Sequence, residues 1–187
     1  MSDFEFLFAL FGLLLGLSLA EILGGVARTI DARITPATTV RVGWLTPLLG
    51  VFVLLDLLSF WTSAWIVRTH IVVSAHALLS VMFFAGAYYL AAALVFPRQV
   101  EGQANLDAHF FRVRRIVIGV MLVLLLCQIG WYATLPALSA RFFQPLNLSM
   151  TALLVALMIA AMLVRGTGKA RVVMILLVAR YVVLYLR

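Results

Sequence analysis

Charge is what this sequence has least of. Only 11% of its 187 residues are Asp, Glu, Lys or Arg, against about a quarter in a soluble domain. With 65% hydrophobic residues and a mean hydropathy of +1.15, the chain has too little polar surface to cover itself in water. The solvent expected for most of it is lipid. Cysteine is nearly absent too. Cys127 is the single one and lies in an apolar run, which excludes an intrachain disulfide and a cysteine metal cluster. The single lysine, Lys169, falls between apolar runs, so no mid-membrane lysine can carry a Schiff-base chromophore.

Histidine is equally sparse. His70 and His109 are expected on opposite sides of the membrane, and His76 has no partner at its depth, which argues against a bis-histidine haem. His70 and His76 are six residues apart, about 240° around a helix, a poor arrangement for a shared metal. No GxSxG or HExxH occurs, and "GTGKAR" at Gly166–Arg171 lacks the glycine spacing of a phosphate loop. No cofactor and no catalytic site are expected, and the chain is read as a non-enzyme.

Acidic residues number seven against fourteen basic ones, for a net charge of +7. In a soluble protein such a balance would raise nucleic acid as a partner. Here the basic residues fall mainly between apolar runs, so membrane orientation and anionic lipid headgroups account for them. Nucleic acid is not an expected partner; membrane lipid is.

What is present is a series of six apolar segments, at about 4–27, 47–67, 72–96, 116–135, 146–164 and 172–186. They are continuous and mostly about twenty residues long, whereas barrel strands alternate apolar and polar over about ten. Pro47 suits the first turn of the second segment, while Pro97 and Pro136 end the third and fourth. The start lacks the basic region of a cleavable signal, so the first segment is expected to be a retained helix. The sixth, at fifteen residues, reaches about 22 Å, short of the roughly 30 Å hydrocarbon core. It is expected to thin the bilayer or to use Arg187 as an anchor; lying in the interface is the alternative.

Loop charges set the orientation. The first loop carries Arg28, Arg33 and Arg41, the second Arg68, and the third Arg98, Arg112, Arg114 and Arg115. The fourth carries Arg141, and the fifth Arg165, Lys169 and Arg171. The alternation places loops one, three and five in the cytoplasm and both termini outside, in the periplasm of a bacterial inner membrane. The fold class expected is all-α, one polytopic integral membrane helix bundle of six transmembrane helices. Asn105 or Asp107 is a candidate cap for an extension of the fourth helix.

Small residues recur every fourth position at Gly12, Gly16, Ala20 and Gly24, and again at Ala152, Ala156 and Ala160. Such faces let backbones approach closely, either within the chain or in a homo-oligomer or partner contact. Trp44, Trp61, Trp65, Trp131, Tyr132 and Tyr185 read as interfacial belt residues.

Three charged groups sit inside the segments: Glu21, Asp56 and Arg180. Each costs about 2.5–3.5 kcal/mol at the bilayer centre unless compensated. Asp56 and Arg180 match in depth and are expected to pair. Glu21 lacks an evident partner, because Arg28 is two turns away and the geometry of a direct bond looks strained. Ser59 and Ser63 follow Asp56 at i+3 and i+7, and His76, Ser80, Gln128, Tyr88 and Tyr132 bring further polar groups into the third and fourth segments. The function expected is a channel or transporter for a proton, small cation or small solute. Glu21, Asp56, Ser59, Ser63, His76 and Gln128 would line the path, and Arg180 would tune the carboxylates. The alternative is a non-catalytic accessory or scaffold subunit of a membrane complex; a lipid-modifying intramembrane enzyme ranks third.

Orientation is directly testable in a Cys127→Ser background. Arg33→Cys and Gly102→Cys should be shielded from impermeant thiol reagents in intact cells, while Ser139→Cys should react. Labelling of Gly102→Cys from outside would reverse the assignment.

Overall fold

The computed structural model describes residues 3–35, 43–67, 74–98, 105–136, 139, 142 and 144–186. Arg41, Arg68, His70, Arg141 and Arg187 lie outside the described residues. Among the described residues the chain is all-helical, with six helices: α1 (Asp3–Ile34), α2 (Leu45–Ile66), α3 (Ala75–Val95), α4 (Leu106–Thr134), α5 (Pro145–Leu163) and α6 (Thr167–Tyr185). The first five are long and apolar enough to cross a membrane. Lys169, Arg171 and Arg180 set α6 apart from them. It begins five residues before the apolar segment, so its 19 residues reach about 28 Å, close to the hydrocarbon thickness.

Successive helices run in opposite directions. Phe8 near the start of α1 packs on Trp61 and Trp65 near the end of α2. Thr46 at the start of α2 meets Leu106 at the start of α4. We call the end holding the start of α1 and the ends of α2, α4 and α6 the near end, and the opposite one the far end. Helix α2 is central, packing against α1, α3, α4 and α6, while α1–α3, α3–α4, α4–α5 and α5–α6 close the surround, with α1 set mainly against α3.

Helix α1 buries Phe11, Leu15, Ser18, Ile22, Gly25, Thr29 and Ala32. The alternating steps of four and three make a continuous seam of the coiled-coil kind. Its polar members turn inward on their own backbone: Ser18 Oγ donates to the Leu14 carbonyl at 3.3 Å and Thr29 Oγ1 to that of Gly25 at 2.8 Å. A Cβ at Gly25 would lie 2.5 Å from the ring of Phe96, so this glycine admits the end of α3. The small-residue face expected to pack is a different one. Gly12 does receive Trp61, but Gly16 has open space around it, Gly24 meets only Arg28 of its own helix, and Ala20 is exposed. On α5, Ala152 and Ala156 are exposed and Ala160 is partly buried. The large side chains beside these positions bury more apolar area, and they turn the helices that way.

The far end is held by polar clasps. The Asn105 side chain accepts from the Asp107 amide at 2.9 Å and caps α4. Asp107 instead accepts from the Leu45 amide at 3.0 Å, capping α2 across the interface, and Thr46 donates to the Leu106 carbonyl at 2.7 Å. Arg114 is buried, not a loop residue. It donates to the carbonyls of Ala161 and Val164 at 3.0 and 2.6 Å, satisfying the last turn of α5 and opposing its dipole. These contacts carry α4 ten residues before the apolar segment starts.

Outward, the bundle presents Leu13, Leu17, Leu23, Leu79, Phe83, Leu90, Ile116, Leu153 and Leu163. An apolar exterior of this extent is rare in soluble monomers and suits an integral membrane protein. Trp44, Trp65, Trp131 and Tyr185 are exposed, while Trp61 and Tyr132 turn partly inward.

Between α5 and α6 the chain turns at Gly166, whose φ is +96° and ψ 140°. L-residues rarely adopt that conformation, so Gly166→Ala should destabilise the bundle by about 1–3 kcal/mol. Gly168→Ala, with open space around it and helical geometry, should be close to neutral. Thermal unfolding in detergent compares the two; equal behaviour would show that the turn can relax.

Candidate functional site

The polar residues of the bundle interior converge on Asp56. It stands at the middle of α2, inside LTPLLGVFVLLDLLSFWTSAWI, and is 8% exposed. Tyr88 of α3 donates its hydroxyl to Asp56 Oδ2 at 2.7 Å. Tyr181 of α6 donates its hydroxyl to Oδ1. Both tyrosines are buried, so one carboxyl ties three helices together. Hydrogen bonds to a charged acceptor contribute about 1.5–3 kcal/mol each. Two of them offset much of the cost of placing a carboxylate at mid-bundle.

Arg180 is not the direct partner expected for this carboxylate. An ion pair does form, but between Arg28 and Glu21. Arg180 instead lays its guanidinium over the Tyr181 ring, 4.9 Å from the centroid. The reason is positional. Adjacent residues on a helix diverge by about 100°, so when Tyr181 points at Asp56, Arg180 is turned aside along the cavity wall.

From Asp56 a cavity of about 130 Å³ extends toward the near end, lined by all five helices other than α1. Its polar lining comes from Ser59 and Ser63 of α2, Tyr88 of α3, Gln128 and Tyr132 of α4, Thr151 of α5, and Arg180 and Tyr181 of α6. Gln128 donates to the Tyr132 hydroxyl at 2.9 Å, and Thr151 to the Asn147 carbonyl at 2.9 Å. Phe60, Leu125, Ile129, Leu154 and Leu184 form the apolar part. The space exceeds what several waters need, and the polar groups are numerous enough to hold them. Toward the far end Leu45, Leu49, Phe52 and Val53 of α2 are fully buried, so the cavity stops at Asp56. Beside it Phe60 stacks on Phe84, centroids 5.3 Å apart and planes 3° from parallel.

Of the residues expected along a path, Asp56, Ser59, Ser63 and Gln128 share this cavity with Arg180. Glu21 and His76 do not. Arg28 Nη2 reaches Glu21 Oε1 at 3.4 Å, so the i+7 bond that looked strained does form. The arginine is long, and its side chain leans toward the helix N-terminus and closes the two turns. His76 is exposed at the start of α3, its backbone carbonyl accepting from Ser80 Oγ at 2.8 Å. His109 contacts the Leu94 carbonyl at the far end, so these two histidines are at opposite ends. Among the described residues no group of three or more His, Cys, Asp or Glu could hold a metal. Tyr181 was missed by the sequence reading. A tyrosine well inside a segment, away from belt positions, was the available sign, because buried hydroxyls find partners.

Compared with known proteins, the chain matches no family model, no curated protein and no solved structure significantly.

Tyr88→Phe and Tyr181→Phe each remove one donor from a buried carboxylate. Each should lower stability in detergent by about 1.5–3 kcal/mol. In an Asp56→Asn background the Tyr181→Phe loss should shrink, with a coupling of about 0.5–3 kcal/mol. Denaturation of the four proteins of that cycle measures it, and strictly additive losses would mean that the bond is absent.

Proposed function

We propose that this protein spans a bacterial inner membrane six times, with both termini outside, and moves a proton, small cation or other small solute through the cavity at Asp56. The observation that carries the proposal is the cavity itself: a polar-lined space of about 130 Å³ from the near end to a mid-bundle carboxyl. The distribution of basic residues supports the orientation. Arg28, Arg33, Arg98, Arg112, Arg114, Arg115, Arg165, Lys169 and Arg171 all lie toward the far end, as the cytoplasmic side requires.

The chemistry available at Asp56 is proton exchange. As a carboxylate it accepts from both tyrosines. Once protonated it becomes a donor to one of them, and that tyrosine's own proton must turn elsewhere. A proton can then pass between cavity and carboxyl with little movement of the helices. Passage to the far end needs more, since the packed half of α2 must part from its neighbours. Glu21, outside the cavity and paired with Arg28, is left off this route. The role is non-catalytic.

One observation favours a second reading, that of an accessory subunit. The Gly16–Ala20 face of α1 and the Ala152–Ala156 face of α5 are exposed and suit close contact with a helix of another chain, either a second copy or a partner membrane protein.

A liposome assay with a pH-sensitive dye and a panel of monovalent cations separates the readings. Wild type and Glu21→Gln should support flux, and Asp56→Asn should abolish it with its fold retained. No flux from any of the three across the panel would favour the accessory role.

A further inference from the structure

The ligand that the cavity is built to hold follows from its charges. Asp56 already receives one hydrogen bond at each oxygen, from Tyr88 and from Tyr181. Arg180 is in the opposite condition. It lines the same cavity, forms no hydrogen bond or ion pair with the described residues, and its Nε is buried without a partner. A guanidinium has five N–H donors in a planar fork that matches a carboxylate. Its contact with the Tyr181 ring leaves those donors without an oxygen or nitrogen acceptor among the described residues. A free cationic donor in a space that small is a site for an acceptor of opposite charge.

The walls narrow the class. The volume, about 130 Å³, is near the roughly 150 Å³ of an apolar cavity that accepts benzene, so about six non-hydrogen atoms fit. Leu125, Ile129 and Leu154 offer an apolar surface for a short carbon chain, while Ser59, Ser63 and Gln128 offer hydrogen bonds. Asp56 on the same wall repels a second negative charge. We infer that the cavity binds a small monocarboxylate of propionate or lactate size, its carboxylate on Arg180, its short body against α4 and α5, with dicarboxylates excluded by Asp56. The inference rests on the cavity being the site of the proposed function and names its substrate class.

Binding, rather than flux, is the test. Radiolabelled propionate is titrated onto the purified, detergent-solubilised full chain, with unlabelled lactate, succinate and propionamide as competitors. Saturable binding is expected, displaced by lactate but not by succinate or by the isosteric, uncharged propionamide. Arg180→Gln should weaken it by about ten- to a hundred-fold, the range that a hydrogen bond to a charged group represents, while Glu21→Gln leaves it unchanged. No saturable binding to wild type, or displacement by propionamide as strong as by lactate, would overturn the inference even if Arg180→Gln failed to fold. Proton or cation flux without propionate binding would sink the monocarboxylate and leave the transport reading standing. Binding without flux of any species would keep the ligand and remove the transport.

Discussion

A carboxylate cannot be left bare in the middle of an apolar helix bundle, and the interior of this protein is arranged around that constraint. Asp56 is met by one phenol from α3 and one from α6. The two tyrosines come from helices far apart in sequence, so satisfying the carboxyl sets the rotation of three helices at once. The polar residues one and two turns beyond Asp56 then face the same space. The cavity is a consequence of that rotation: Ser59 and Ser63 follow Asp56 on α2, and α4 presents Gln128 and Tyr132 opposite them.

The far end is built on the opposite principle. There the backbone groups at helix termini need partners, and side chains of neighbouring helices supply them. Asp107 of α4 caps α2, and Arg114 of α4 closes α5. A Cβ on Gly43 would overlap the Asp107 carboxyl, so the approach of the chain to α2 is close as well. These clasps leave the far half of α2 packed and dry. The bundle is thus polarised, with a polar-lined cavity toward the near end and closely packed side chains at the far end. Asp56 and Arg180 stand at the boundary between the halves, the carboxyl with two hydrogen bonds and the guanidinium with a buried Nε that has none.

Much of the architecture was legible without coordinates. Long apolar runs imply helices because lipid offers the backbone no hydrogen bonds, and the segments found by hydropathy correspond to the six helices. Boundaries were read less well: α1 runs on through Arg28 and Arg33 to Ile34, so these arginines are helical and not loop residues. Helix α4 reaches back through Arg112, Arg114 and Arg115, and α6 through Lys169 and Arg171. Hydropathy stops at a charge, but a helix continues wherever caps and carbonyl partners hold it. The stripe of Asp56, Ser59 and Ser63 was also visible, since one helix determines its own faces.

What the sequence by itself determined, then, is everything that depends on one segment and its solvent: the apolar surroundings, the helices, the polar stripe on α2, and the concentration of arginine between alternate apolar runs. What only the tertiary structure decided is which side chains meet across segments. It separated Glu21 and His76 from Asp56, gave the carboxyl to Tyr181 in place of the adjacent Arg180, and moved the buried seam of α1 off its glycine face. Those choices turn on helix rotation, where one residue amounts to about 100°. Rotation is set by the sum of packing against several neighbours at once, which no single segment records.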